Sequence, residues 1–225
     1  MISLSSISKD EAARYMGING APDGSIEAML DRCEKLVRET VRPNYVYREA
    51  AISFAEDGVH VEGMSSPLTG NSVRKHIEGC SKAVLMAVTL SAEADKLIRR
   101  AAISNMAESL AIDCLCSAAV EQACDIAEKE IFSEIDAPYR TWRFSPGYGD
   151  LPLDIQRDFL LFLNAQRRIG LTVTDNCLLI PSKSVTAIIG ISDKPVNKGA
   201  KGCAVCSMRE SCEFRRTGKN CRNKG

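Results

Sequence analysis

Leu171-Thr172-Val173-Thr174-Asp175-Asn176-Cys177-Leu178-Leu179-Ile180-Pro181-Ser182-Lys183-Ser184-Val185 is the stretch that decides how this chain folds. Residues 171–173 are β-prone, Asp175-Asn176 reads as a turn, residues 177–180 are β-prone again, and a longer β run follows over 184–191. The links between these runs are a few residues long. A parallel crossover needs a dozen or more, so the runs pair antiparallel. Residues 45–54 and 59–61 repeat the pattern, joined by Glu56-Asp57-Gly58, and Asp-Gly between β-prone runs is a hairpin signal. Residues 83–90 are apolar without a break, as a buried strand requires.

The rest of the chain supplies helices. Ser8-Lys9-Asp10-Glu11 has capping-box spacing and opens a short helix through Tyr15 and Met16. Ala21-Pro22-Asp23-Gly24 is a turn. Ile26, Met29, Leu30, Cys33, Leu36 and Val37 recur at three- and four-residue spacing, the signature of an amphipathic helix, which ends before Pro43. A short helix is expected around 73–77. Ser91 is placed to cap a helix through Ile103, with Leu97 and Ile98 facing inward. Residues 105–135 form a long helix rich in small side chains. A short strand over 139–143 then leads into a loop, and residues 153–165 form a helix with Ile155, Phe159, Leu160 and Leu163 on its apolar face. Interleaved helices and strands with short links give an α+β fold: a largely antiparallel twisted sheet with flanking helices, plus a small Cys-rich C-terminal module.

The composition is that of an ordinary globular chain: 225 residues, 45% hydrophobic and 26% charged. The zero net charge gives no push toward nucleic acid or membrane. The charge is unevenly spread. Residues 193–225 hold nine Lys/Arg and three Asp/Glu, leaving 20 basic and 26 acidic residues over 1–192. The expected domains are therefore an acidic body, 1–192, and a basic tail, 193–225. The first residues lack a basic start and apolar core, and no apolar run approaches the ~20 residues that span a bilayer. A cytoplasmic protein is expected, in which the ten cysteines are not structural disulfides. Cys33, Cys80, Cys114, Cys116, Cys124 and Cys177 are expected in core packing, where free cysteine is usual.

The tail carries the remaining four, spaced Cys203-x2-Cys206-x5-Cys212-x8-Cys221. Four thiolates can hold a tetrahedral zinc or an iron–sulfur cluster. Either leaves about two negative charges on the site, which Lys201, Arg209, Arg215, Arg216, Lys219 and Arg222 surround. The ligands alone do not separate zinc from iron–sulfur.

The loop after the long helix is Arg143-Phe144-Ser145-Pro146-Gly147-Tyr148-Gly149-Asp150, the densest cluster of backbone specialists and hydrogen-bonding side chains in the chain. Its first six residues resemble the Arg-x-x-Pro-Gly-Tyr motif of the activation (reactivation) domain of cobalamin-dependent methionine synthase. Residues 169–174, and the segment Leu179-Ile180-Pro181-Ser182-Lys183-Ser184-Val185, are similar to that family's Gly-x-x-Leu-Thr and Pro-x-x-Ser-Val segments. The first is approximate, because Gly170 directly precedes Leu171. In length and order the chain looks like the free-standing members of the family. It departs from the synthase-linked pattern beyond Pro-x-x-Ser-Val, where the family has a tyrosine region and residues 193–202 hold no tyrosine.

The resemblance implies a domain that binds S-adenosylmethionine and presents it to a cobalamin held by a partner, the cobalamin-binding module of methionine synthase or another corrinoid protein. An electron donor reduces cobalt that has been oxidised by accident, and the methyl group traps the reduced state. Arg143 matches the arginine that meets the ligand, Ser145 and Gly147 match backbone contacts, and Tyr148 matches the motif tyrosine. Glu121, on the preceding helix, matches an acidic ligand contact. The chemistry suits these residue types. An arginine fork fits a carboxylate, an acid fits an ammonium, and an aromatic face near a cation contributes about 0.5–2 kcal/mol. The electron is expected from an external donor or from an iron–sulfur cluster in the tail.

The competing reading is a non-enzymatic α+β interaction module whose basic zinc knuckle binds nucleic acid or protein. It predicts salt-dependent nucleic-acid affinity and no response to a methyl donor. His60 and His76 have no recognisable ligand partners in the sequence. Trp142 is expected in the core beside the loop, and Asp150 and Asp154 are expected to cap the helix that follows them.

Overall fold

The computed structural model describes residues 2–18 and 21–196. Its centre is a five-stranded antiparallel sheet built from β1 (Asn44–Ala55), β2 (Gly58–Val61), β3 (Lys82–Thr89), β4 (Tyr139–Arg140) and β7 (Ser184–Ser192), in the order β2-β1-β3-β7-β4. The Asp-Gly hairpin forms as expected, with Ala55 opposite Gly58. β3 and β7 are the middle strands and pair over their full lengths, Lys82 opposite Ile191 to Thr89 opposite Ser184. Both faces of the sheet are covered, which explains the unbroken apolar run of β3. Val84, Met86 and Val88 enter one core, whereas Ala83, Leu85 and Ala87 enter the other.

One layer of helices consists of α1 (Lys9–Tyr15), α2 (Gly24–Thr40), α4 (Ala92–Ser104) and α5 (Met106–Glu134). Ser8 caps α1 through Glu11 N–H at 3.2 Å. Asp23 caps α2 by accepting from Ser25 and Ile26 N–H, both at 2.9 Å. The inward face of α2 is Leu30, Cys33 and Val37, with Leu36 left exposed off that face. α5 is the axis of this layer. Its alanines 111, 118, 119, 123 and 127 are fully buried, and such small side chains let the sheet and three helices approach one backbone. Ile112, Leu115 and Ile131 fill the spaces, each contributing roughly 1.5–3 kcal/mol by full burial.

The opposite layer holds α3 (Asn71–His76), α6 (Gln156–Leu163) and α7 (Ala165–Ile169), with a separate two-stranded hairpin of β5 (Thr172–Val173) and β6 (Leu179–Ile180). Ile155, Phe159, Leu160 and Leu163 are buried there, as the apolar spacing predicts. Among the described residues no helix is long and apolar enough to cross a membrane.

Several further expectations need correction, beginning with the strand expected over 139–143, of which only Tyr139–Arg140 is β-strand. The helix expected over 153–165 is a 3-10 turn (Leu153–Ile155) followed by α6, and it breaks at Asn164, which takes the left-handed conformation (φ 52°) that asparagine tolerates best after glycine. Ser91 does not cap α4 with its side chain. Its φ is 72°, no helix amide donates to its Oγ, and among the described residues that oxygen is buried without a hydrogen-bond partner. Cys177 is not in the core; it sits half-exposed in the β5–β6 turn at φ 60°. Asp150 caps a helix, but α3 and not the one that follows it, and Asp154 lies inside the 3-10 turn, where neither that turn nor α6 has a side-chain cap. The other five core cysteines are buried as expected. Burial pushes the Cys116 thiol up to about 12, so it stays a protonated, inert side chain.

Candidate functional site

The backbone from β4 onward continues along the edge of β7. Thr141 N–H donates to Gly190 O at 3.0 Å, Gly190 N–H donates to Thr141 Oγ1 at 2.9 Å, and Phe144 and Ile188 exchange both backbone hydrogen bonds at 2.9 and 2.8 Å. These bonds fix the chain on either side of Arg143 and aim its side chain across to α5. Its guanidinium is 18% exposed and meets three carboxylates of that helix: Asp125 at 2.8 Å, Glu128 at 2.9 Å and Glu121 at 3.5 Å. Arg140 Nε adds a looser contact to Glu128 at 3.8 Å. Among the described residues, Arg143 and Arg140 thus face three acids of α5.

Directly after Arg143 and Phe144 the chain reverses. Tyr148 N–H donates to Ser145 O at 3.0 Å, with Pro146 and Gly147 between them. Proline at the second position and glycine at φ 87° at the third are what a type II turn demands. Gly147 N–H donates to Leu151 O at 2.8 Å, and Leu151 N–H donates to Tyr148 O at 3.1 Å. The Gly147 amide is thus occupied, leaving its carbonyl as the group with which that residue's backbone can meet a ligand. Pro146 is buried and Ser145 half-buried, whereas Tyr148 is 47% exposed with its ring edge-to-face on Phe144. Behind the turn, His76 packs against Trp142 and Phe144, and its Nε2 lies 2.7 Å from Trp142 O. Trp142 is half-buried against the core, as expected.

Asp150 closes the loop onto α3. Its two carboxylate oxygens accept from Asn71 and Ser72 N–H, both at 2.8 Å. Sequence proximity had pointed to the next helix, but the loop folds back and meets a helix start 79 positions away. The amides of Ser72 and Asn71 hold the Asp150 carboxyl below the usual carboxylate range. A depressed carboxylate stabilises the fold above its unfolded value of about 3.9 and loses that contribution as pH falls through the folded value. Acidification from pH 6 to pH 3 is therefore expected to lower the melting temperature of the wild-type chain more than that of Asp150→Asn. Parallel melting curves across that range would show the cap to be without weight.

A cleft of about 510 Å³ opens on the same face of α5, one turn before the Arg143 cluster. Glu121 belongs to both. Lys183, on the segment leading into β7, reaches across the cleft wall to Asp113 (2.8 Å) and Ser117 Oγ (2.9 Å), with its side chain only 14% exposed. The neighbouring Ser182 is tied to Asp95 of α4 through both its N–H and its hydroxyl. Asp113, Ser117, Glu121, Asp125 and Glu128 are all half-buried and form one strip along α5. Their spacing of four, four, four and three was available in the sequence as one helical face. Sequence reasoning missed Asp113, Asp125 and Glu128, whose helix reads first as a small-residue face, and Lys183, whose partners lie 66 and 70 positions away.

The structure thus brings Arg143 and Glu121 together and places Ser145, Gly147 and Tyr148 in the turn that Arg143 opens. Cys203, Cys206, Cys212 and Cys221 lie outside the described residues. Among the described residues no group of three or more His, Cys, Asp or Glu side chains is placed to hold a metal ion.

No protein-family model and no curated protein matches this chain. Among solved structures, the crystal structure of the MetH reactivation domain bound to AdoHcy matches it with a TM-score of 0.57 and 13% identity, over 96% of this chain and 85% of that one. At that identity the likeness speaks for architecture: the chain has the fold of the MetH reactivation domain.

Proposed function

We propose that this chain binds S-adenosylmethionine at the Arg143–Tyr148 turn and the facing strip of α5, and that it serves the reductive reactivation of a corrinoid methyltransferase. The observation that carries the reading is the position of Arg143. It stands at the head of a proline–glycine turn, 3.5 Å from Glu121, on a fold shared with a domain solved with AdoHcy. The ligand's amino-acid arm carries one carboxylate and one ammonium, and this site offers a guanidinium fork beside the carboxylates of Glu121 and Asp125. Arg143 receives the carboxylate, Glu121 and Asp125 receive the ammonium, and the exposed Tyr148 ring offers a face to the sulfonium.

A corrinoid carried by a partner would supply the nucleophile whose electron pair takes up the methyl group. This chain's part is to hold the donor with its methyl group outward. The methyl leaves, the C–S electron pair stays on sulfur, and the sulfonium becomes a thioether. No proton changes hands, so the residues act by position and charge and need no acid or base. Anaerobic equilibrium dialysis with S-adenosylmethionine tests the reading, together with co-elution of a cobalamin-loaded partner module in its cob(II) state. Saturable donor binding and co-elution are expected; no saturable binding would end the proposal.

The reaction also needs one electron. We place its entry at the tail, with Cys203, Cys206, Cys212 and Cys221 as thiolate ligands of an iron–sulfur cluster. Anaerobically purified protein is expected to contain iron and acid-labile sulfide. Zinc without iron would assign the cysteines a structural metal and the electron to a separate donor.

A further inference from the structure

Arg143 owes its direction to an irregularity in the sheet edge. Arg140 stands opposite Ile191, and Thr141 N–H donates to Gly190 O, but the next backbone pair joins Phe144 to Ile188. Trp142 and Arg143 therefore face the single residue Ile189, one residue more than a regular antiparallel ladder holds. Such a bulge re-aims the side chains beyond it. Strict alternation would put Arg140 and Trp142 on the α5 face and Arg143 on the other. With the extra residue, Arg140 and Arg143 both reach Glu128 of α5, and Trp142 packs on the opposite core. The Trp142 carbonyl falls at the bulge, and His76 of α3 takes it up, with Nε2 at 2.7 Å. A carbonyl only accepts, so Nε2 carries the proton and donates. The Thr141 hydroxyl adds a longer contact to the same oxygen at 3.3 Å. The short helix α3 is a firm place to hold the bulge from, because Val73 and Ile77 on either side of His76 are fully buried. The His76 ring, 8% exposed, packs on Trp142 and Phe144 with ring centres 4.2 and 4.9 Å away. Asp150, on the amides of Asn71 and Ser72, ties the far end of the loop to the same helix. The approach there is close: a methyl group on Gly149 would stand 2.5 Å from Ser72 Cβ. The loop 142–150 is thus gripped by α3 at both ends.

We propose that His76 is a positioning residue for donor binding: its hydrogen bond to the Trp142 carbonyl locks the bulge that turns Arg143 toward α5. This rests on the methyl-donor reading of Arg143. His76 acts through Arg143 and meets no ligand itself. Without the bond the bulge is held from one side only, and the fraction of molecules with Arg143 in place falls. The apparent affinity falls by the same factor.

The test uses the full chain, with S-adenosylmethionine affinity and thermal melting measured on each variant. His76→Phe keeps a ring against Trp142 and Phe144 and removes the donor. His76→Gln removes the ring and keeps an N–H close to the place of Nε2. A purely structural role ranks the two by packing, with His76→Phe nearer wild type in both measurements. Positioning separates the measurements. His76→Phe is expected to bind about tenfold more weakly, as when one molecule in ten holds Arg143 in place. His76→Gln is expected to recover most of the affinity although it melts lower. In an Arg143→Ala background the difference in affinity between the two is expected to vanish. His76→Leu lacks the same donor and takes the place of His76→Phe if that variant does not fold. Wild-type affinity of the donor-less variant, or affinity losses that follow the melting temperatures, overturns the positioning role and leaves the proposed function standing. Absence of donor binding in the wild-type chain ends the proposed function instead. The hold of His76 on Arg143 is then judged from stability alone. His76→Phe and Arg143→Ala are expected to cost less together than the sum of their separate effects, and strict additivity overturns the hold.

Discussion

Arg143→Ala is expected to weaken S-adenosylmethionine binding by roughly 10–100-fold and to lower stability by about 1–3 kcal/mol. The two effects have different sources. A charge-assisted fork to the ligand carboxylate disappears, which sets the binding loss. Glu121, Asp125 and Glu128 also lose their common counter-ion, and three carboxylates on successive turns of α5 then repel one another and the incoming carboxylate. Since the Arg143 side chain is 18% exposed, solvent screens part of the repulsion, and the stability cost stays below that of a fully buried pair. Arg143→Lys keeps the charge but cannot reach Asp125 and Glu128 with separate nitrogens, as Arg143 does at 2.8 and 2.9 Å. It is expected to recover stability more than affinity. Dialysis and thermal melting on the same preparations separate the outcomes. A full stability loss with unchanged affinity would make Arg143 a tie between α5 and the sheet edge, with no part in binding.

The architecture was legible where local chemistry and burial agree. The hairpin at Asp57-Gly58, the run 83–90 and the alanine face of α5 each have one physical explanation, and each forms as read. The short links after Leu171 correctly ruled out a parallel sheet. They did not reveal that, among the described residues, β5 and β6 pair only with each other, because two-residue strands carry no pattern that distinguishes a sheet edge from a private hairpin.

The missed features of the site share one cause. Asp150 reaches the amides of Asn71 and Ser72, and Lys183 reaches Asp113 and Ser117, 66 and more positions away. Capping and charge rules operate over three or four residues, so long-range partners are invisible to them. Arg143 was found through the residues around it. Its three acids were present as a periodic face, but the sequence does not say which cation lies over a helix. The half-exposed Cys177 and the uncapped Ser91 depend on left-handed backbone at non-glycine residues, which local propensity disfavours and only the surrounding packing imposes.

Gly190→Ala is expected to destabilise the chain by about 1–3 kcal/mol, and Gly190→Val to prevent folding under ordinary conditions. Gly190 lies on β7 opposite Ala83, in the second of the two cores. A methyl group there would stand 2.6 Å from Cys80 Sγ and 3.0 Å from Ile77 Cγ2. Cys80 is 5% exposed and Ile77 is fully buried, so neither side chain can retreat into solvent. The strand must move instead, and the same residue exchanges both hydrogen bonds with Thr141. Displacing it loosens the anchor two residues before Arg143, so donor affinity is expected to fall along with stability. A double-mutant cycle tests the cause: Cys80→Ala removes the sulfur that the new methyl meets and is expected to return about half of the loss in Gly190→Ala. Strict additivity of the two changes would show that the contact with Cys80 is not what excludes a side chain at this position.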